Sequence, residues 1–219
     1  MAARKRTGTR RREPLNPDRI ARAALDYIDE HGLEDMSVRN LGAALGVEGM
    51  ALYKHFRSKE AILDAVAELM LLELVVPAPS RESWKSRALR VGQDYRAISR
   101  RHPRAFSLLA ARRYTTPRAL ALLDRIFFAL MAAGLTARQA VEVYRGVANW
   151  TNGCVFDELA GQAALEAGVK VVPPRELTAL AEALPFLGVE HFDAIYQAGL
   201  TALLDGLEAK FEAEARARR

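Results

Sequence analysis

Residues 15–59 read LNPDRIARAALDYIDEHGLEDMSVRNLGAALGVEGMALYKHFRSK, three short amphipathic segments separated by glycines, and their reading decides the fold. In the first segment Ile20, Ala23, Ala24, Tyr27 and Ile28 recur at i, i+3, i+4, i+7 and i+8, one apolar face of a helix, and Gly32 after His31 supplies its stop. Ser37 stands directly before Val38, Leu41, Ala44 and Leu45 as an N-cap whose hydroxyl satisfies a free amide of the second helix, which Gly46 ends. After the tight turn Gly46-Val47-Glu48, the segment GMALYKHF carries Leu52, Tyr53 and Phe56, too short to be a stable helix alone and in need of the two earlier helices as a platform. A short helix held across a second one is the way a helix-turn-helix presents side chains to the major groove of DNA.

The particular residues narrow this further. Gly32-Leu33, Ser37-Val38-Arg39, Leu41-Gly42, Leu45-Gly46-Val47, Leu52-Tyr53-Lys54-His55-Phe56 and Lys59-Glu60 together resemble the DNA-binding domain of the tetracycline repressor (TetR) family over about fifty residues. The resemblance implies roles that suit the side chains. Arg39, at the start of the second helix, matches an arginine that bonds guanine in bidentate fashion, a contact worth roughly 1–3 kcal/mol of discrimination; a phosphate contact or an intradomain salt bridge is the alternative. Gly49, Met50 and Ala51 take outward positions where the family often carries polar base readers, so specificity here is expected to lean on Arg39, Lys54 and DNA shape. Tyr53, His55 and Lys59 match phosphate-holding positions, Lys54 reaches a base or a phosphate, and Leu52 and Phe56 read as core.

Composition agrees. The chain has 219 residues, half of them apolar, enough for one or two domains with a sizeable core, and a formal net charge of +5 compatible with a polyanionic partner. Arg4, Lys5, Arg6, Arg10, Arg11 and Arg12 crowd the first dozen residues with no acid among them. Residues 1–14 therefore read as a disordered basic arm, either laid along DNA or simply solvated. Cys154 is the only cysteine, which excludes an intrachain disulfide and a Cys-rich zinc site. Without a membrane-length apolar run or a secretory signal, a cytoplasmic protein is expected.

Beyond residue 58 helices follow almost without interruption, and no stretch alternates with period two long enough to be a strand. The fold class is all-α: a helix-turn-helix domain over residues 15–62 and a larger helical effector-binding and dimerisation domain over 63–219. A connecting helix with Ile62, Leu63, Val66, Leu69 and Met70 is broken by VVPAPS at 75–80. Helices are then expected at 84–101, after His102-Pro103, at 117–133, at 137–159 and at 191–213, with a poorly periodic connection at 161–189 holding one helical island, ELTALAEAL. The helices at 137–159 and 191–213 are the expected dimerisation elements. Val143, Val147, Trp150, Cys154 and Phe156 extend apolar character around the first, and Gly199 and Ala202 in the second admit close approach while Leu200, Leu203, Leu204 and Leu207 supply area. The resemblance implies a four-helix bundle between two subunits, and a homodimer matches a pseudo-palindromic operator.

Trp84, Arg101-His102-Pro103, Thr116-Pro117 and LTARQAVEVYRGVANWTNG are similar to the C-terminal domain of the tetracycline repressor branch itself. That implies a repressor released by a small-molecule effector, with pocket candidates Tyr95, Ile98, Phe106, Leu109, Phe127, Met131, Tyr144, Val147 and Trp150, and with Arg112, Arg113, Asn149 and Asn152 as polar partners. Aligned on Thr115-Thr116-Pro117, Arg112 falls near the place where the branch carries a metal-coordinating histidine, which implies a metal-free, mainly apolar effector. No cofactor and no metal is expected. The four histidines are dispersed and no nucleophile elbow or phosphate-cradling loop is present, so the chain does not read as an enzyme. An activator or architectural protein without an effector is the alternative function, and an all-α enzyme a remote one.

Overall fold

The computed structural model describes residues 14–78, 81–112 and 114–218. Among these the regular structure is helical throughout: α1 (Pro17–His31), α2 (Val38–Leu45), a 3-10 helix (Gly49–Lys54), α3 (Lys59–Leu71), α4 (Trp84–Arg101), α5 (Phe106–Ala111), α6 (Pro117–Met131), α7 (Ala137–Glu166), α8 (Thr178–Ala183), 3-10 turns at Leu184–Phe186 and Val189–His191, and α9 (Phe192–Ala217). The all-α expectation is met. The basic arm, with Arg4, Lys5, Arg6, Arg10, Arg11 and Arg12, and the pocket candidate Arg113 lie outside the described residues.

The chain divides into two compact units, one ending at Val66 and one beginning at Ala67, inside α3. In the first unit the helix ends follow from local chemistry. Asn16 caps α1 through its side-chain oxygen, with Pro17 in the first turn, where a missing amide costs nothing. Ser37 caps α2, accepting from the Asn40 amide at 3.1 Å, and Gly46 closes it in the left-handed region at φ 67°. The core holds Ile20, Ala21, Ala24, Leu25 and Ile28 of α1 with Met36, Leu41 and Leu52. The buried stripe of α1 is thus rotated from the expected one: Ala21 and Leu25 are buried while Ala23 and Tyr27 are only half-buried, and in α2 Ala44 is exposed.

In the second unit α4, α7 and α9 pack together, with α6 against α7. Phe106, Ile98, Val143, Val155, Tyr196, Leu200 and Leu204 form its interior. Thr136 and Gln139 make a reciprocal capping box at the start of α7. Two differences from the sequence reading concern α7 and α9. Helix α7 runs to Glu166, seven residues past the expected end at 159, because Gly161 does not break it: a Cβ there would lie 2.9 Å from the Phe192 ring, so the glycine makes room for α9. Gly199, read as a point of approach for a second subunit, instead admits Trp150 of the same chain, whose ring would lie 2.0 Å from an added Cβ. Leu200 and Leu204 are likewise fully buried within the chain.

An ionic cluster crosses the three packed helices. The buried Arg96 guanidinium meets Glu158 at 2.8 Å and Asp193 at 2.7 Å, and lies 4.5 Å from the centre of the Tyr196 ring. Arg100 pairs with the same two carboxylates. Its hydrogen bond to Asp193 is the first cause holding that carboxyl below the usual range.

Candidate nucleic-acid interface and effector cavity

The turn between α2 and the 3-10 helix is set by backbone contact. A Cβ on Gly42 would stand 2.7 Å from the Gly49 nitrogen and 2.8 Å from its Cα, and a Cβ on Gly49 would stand 2.9 Å from the Val38 carbonyl oxygen. The two glycines therefore press α2 and the 3-10 helix together more closely than any other residue permits. Gly49 faces α2 rather than outward, which corrects the expected orientation of that residue. The segment is a 3-10 helix, with Ala51 donating to the Glu48 carbonyl at 2.9 Å, and both His55 and Phe56 donating to the Leu52 carbonyl at 3.0 Å. Three residues per turn put Leu52 inward and leave Met50, Tyr53, Lys54 and His55 exposed.

Met50 is 71% exposed, a large apolar side chain held in water at the start of the 3-10 helix. Ala51 is half-buried, Arg39 is exposed in the first turn of α2, and Lys59 opens α3 behind the Ser58 cap, whose hydroxyl accepts from Ala61 at 3.1 Å. Between Gly49 and Lys59 no acidic residue occurs, whereas Lys54, His55, Arg57 and Lys59 do. Arg57, exposed in the same stretch, is a further cation, signalled in the sequence by the run KHFRSK. A surface of this kind offers cations and a hydroxyl to phosphates and an apolar tip to a groove.

The second unit encloses a cavity in which the centre of a water molecule can range over about 80 Å³. Its wall comes from the end of α3 and the following strand of chain (Leu71, Leu74, Val76), from α4, from Tyr114, and from one face each of α6 and α7. Of the expected wall residues, Tyr95, Tyr144 and Val147 line it. The others are elsewhere. Ile98, Phe106 and Leu109 are buried core; Phe106 packs against the rings of Tyr95 and Phe156 with centroids 5.7 and 6.0 Å away. Phe127 stands edge-on to Tyr144 at 5.3 Å, and α6 turns Leu123, Ile126 and Leu130 to the cavity in its place. Met131 and Asn149 are exposed. Trp150 donates from its indole nitrogen to the Tyr196 carbonyl at 3.2 Å, and Arg112 terminates α5 through its backbone amide. Asn152 acts one step removed, its oxygen accepting from the Tyr95 hydroxyl at 2.9 Å.

The polar groups on the wall are Arg87 and the hydroxyls of Tyr95, Tyr114 and Tyr144. Burial is the first cause raising the pKa of all three phenols, so they remain neutral at physiological pH. Arg87 is 2% exposed and donates from Nη1 to the Ala129 carbonyl of α6 at 2.9 Å. Nothing in the sequence singles it out, because an arginine in a helix with four others gives no sign of pointing inward.

A DNA-reading head of helix-turn-helix geometry followed by a helical unit with an interior cavity defines a ligand-binding transcriptional regulator. Residues 20–66 match the family described as bacterial regulatory proteins, tetR family, and residues 76–211 match the tetracyclin repressor-like C-terminal domain. The chain belongs to the TetR family, whose members are DNA-binding transcription factors and not enzymes. It is 32% identical over 196 residues to the class A tetracycline repressor protein from transposon 1721 of Escherichia coli, covering 88% of this chain and 90% of that one. Among solved structures it is similar to "a possible TetR family transcriptional regulator" from Streptomyces coelicolor A3(2), with a TM-score of 0.75, 30% identity and coverage of 89% and 99% of the two chains. A TetR variant from Acinetobacter baumannii AYE in complex with minocycline has a TM-score of 0.70 at 26% identity, covering 90% and 98%. Among the described residues no helix is long and apolar enough to cross a membrane.

Proposed function

We propose that the chain is a cytoplasmic repressor that binds a palindromic operator as a homodimer and leaves it when a small molecule occupies the cavity of the second unit. The observation that carries this reading is the acid-free stretch from Met50 to Lys59, with Met50, Tyr53, Lys54, His55 and Arg57 exposed, fixed to α2 by the Gly42 and Gly49 contact. Here Arg39 reads a guanine, Met50 and Ala51 meet thymine methyls, and Tyr53, His55 and Lys59 hold phosphates, with Lys54 reaching a base or a phosphate. Support for the dimer comes from α9, where Ile195, Ala198, Ala202, Gly206, Ala209 and Ala213 form an exposed row of mostly small side chains. Such a row suits close packing against a second copy, with α7 beside it. Effector binding in the cavity then spreads the two heads away from successive major grooves.

Footprinting of the purified protein on its operator tests the reading. The expected result is a dimer on a short inverted repeat. Lys59→Ala weakens binding almost uniformly across sequences and lowers the salt slope by about one unit, whereas Arg39→Ala relaxes preference at one base pair per half-site. A monomer on asymmetric DNA overturns the proposal.

A further inference from the structure

We infer that the cavity of the second unit takes a compact aromatic carboxylate and that Arg87 binds its anionic group. The inference rests on the reading of that cavity as the effector site and adds the chemical class of the effector. Most of the wall is aliphatic, from Leu71, Leu74, Val91, Leu123, Ile126 and Val143 among others, so the body of the ligand must be hydrophobic. At about 10–15 Å³ per water in the same measure, the space holds roughly five to eight waters, the bulk of a one- or two-ring molecule. Tyr95 and Tyr144 add ring faces and edges that favour an aromatic body.

The charge on the wall is of one sign. Among the described residues that line the cavity Arg87 is the one with a charged side chain, and none of them is an aspartate, glutamate or histidine. The phenols beside it are neutral and act as hydrogen-bond donors. Tyr95 and Tyr114 donate to Asn152 and to the Leu109 carbonyl, while Tyr144 makes no hydrogen bond to a described residue. Its hydroxyl is thus available to a ligand oxygen. The Nη1 bond to Ala129 holds the guanidinium from the α6 side, so the ligand meets a positioned cation rather than a flexible chain. A positioned guanidinium among mostly apolar side chains matches a carboxylate better than it matches a carbonyl, since charge-assisted bonds are about twice as strong as neutral ones. A polyphosphate or a sugar would need many more donors than this wall carries.

Calorimetry on the full chain with 1-naphthoate and its neutral isostere 1-naphthamide tests the inference. Wild type is expected to bind the carboxylate at least tenfold more tightly than the amide. Arg87→Met is expected to remove that preference while still binding the amide, and Arg87→Lys to keep part of it. Equal binding of the two probes by wild type overturns the role of Arg87 and leaves the cavity reading intact. Binding of neither overturns both. Should Arg87→Met fail to fold by circular dichroism, the wild-type comparison still decides the matter.

Discussion

Replacing Gly42 by alanine sets two effects of opposite sign against each other. Within α2 alone the change is favourable, because alanine is preferred to glycine in a helix interior by about 1 kcal/mol. Against this, the new Cβ would sit 2.7 and 2.8 Å from Gly49 backbone atoms and 3.0 Å from the Val47 carbonyl oxygen. Carbon contacts are comfortable at about 3.5–4.0 Å, so the turn has to open by roughly 0.5–1 Å. All three neighbours are backbone and none can rotate away. Overpacking of this kind costs about 1–3 kcal/mol, which against a propensity gain of about 1 kcal/mol leaves the head destabilised by up to about 2 kcal/mol. For a unit of this size each kcal/mol lowers the melting temperature by about 4–8 °C.

The more telling consequence is geometric. Opening the turn moves Met50, Tyr53 and Lys54 relative to Arg39, and an operator affinity loss of at least tenfold follows at temperatures where the head is still folded. Ala43→Gly is the control. Ala43 is exposed in the same helix, so its replacement removes a similar propensity term, about 1 kcal/mol, without touching the turn. Calorimetric melting and operator titration of both variants separate the effects. If Gly42→Ala melts higher than wild type and binds operator normally, the close approach of Gly42 and Gly49 does not govern the head and the reasoning fails.

Three further outcomes are expected. Deleting residues 2–12 lowers operator affinity at low salt and matters less as salt rises, because the lost contacts are screened ones; equal binding at every ionic strength in a salt titration shows an inert tail. Arg96→Met costs about 2–4 kcal/mol in urea unfolding, below the full penalty for an orphaned buried carboxylate because Arg100 still meets Glu158 at 3.2 Å, and adding Glu158→Gln recovers part of it. A cost under about 0.5 kcal/mol for the single variant shows the cluster to be incidental. Magnesium with tetracycline does not release operator DNA, since among the described residues no histidine or carboxylate lines the cavity and the charged side chain that does, Arg87, is a cation; tight magnesium-dependent binding by calorimetry contradicts this.

The head was largely legible from its sequence because its structure is local. Caps, turn glycines and the LYKHF run act within a few residues of one another, and Ser37, Gly46 and Pro17 did as their chemistry requires. What the periodicity missed there is rotational: an apolar stripe wide enough to include both Ala23 and Ala21 does not say which flank is covered, and only the neighbours of α1 decide in favour of Ala21 and Leu25. Gly49 escaped for a related reason. A glycine beside a turn reads as exposure or freedom, while its use here is contact with the Val38 carbonyl, a residue eleven positions earlier in the chain.

The cavity was less legible because α6 and α7, which border it, are apolar on more than one side. On α6 the sequence DRIFFALM offers Phe127 and Met131 as readily as Ile126 and Leu130, one position apart, which is a rotation of about 100°. The structure turns the smaller aliphatic pair inward and leaves Met131 exposed, so the wall is smoother and less aromatic than aromatic spacing suggests. Trp150 follows the same logic in reverse. Its bulk marks it as a pocket wall or a dimer contact, yet Gly199 on α9 leaves a slot that fits the indole, and the Tyr196 carbonyl accepts its N–H. Large side chains go where a distant small residue makes room for them, and that pairing is written in two places fifty residues apart. The converse holds for Arg87: a charge is assigned to the surface by composition, and only the packing of α4 against α6 converts it into a cation facing an interior of aliphatic side chains and three tyrosines.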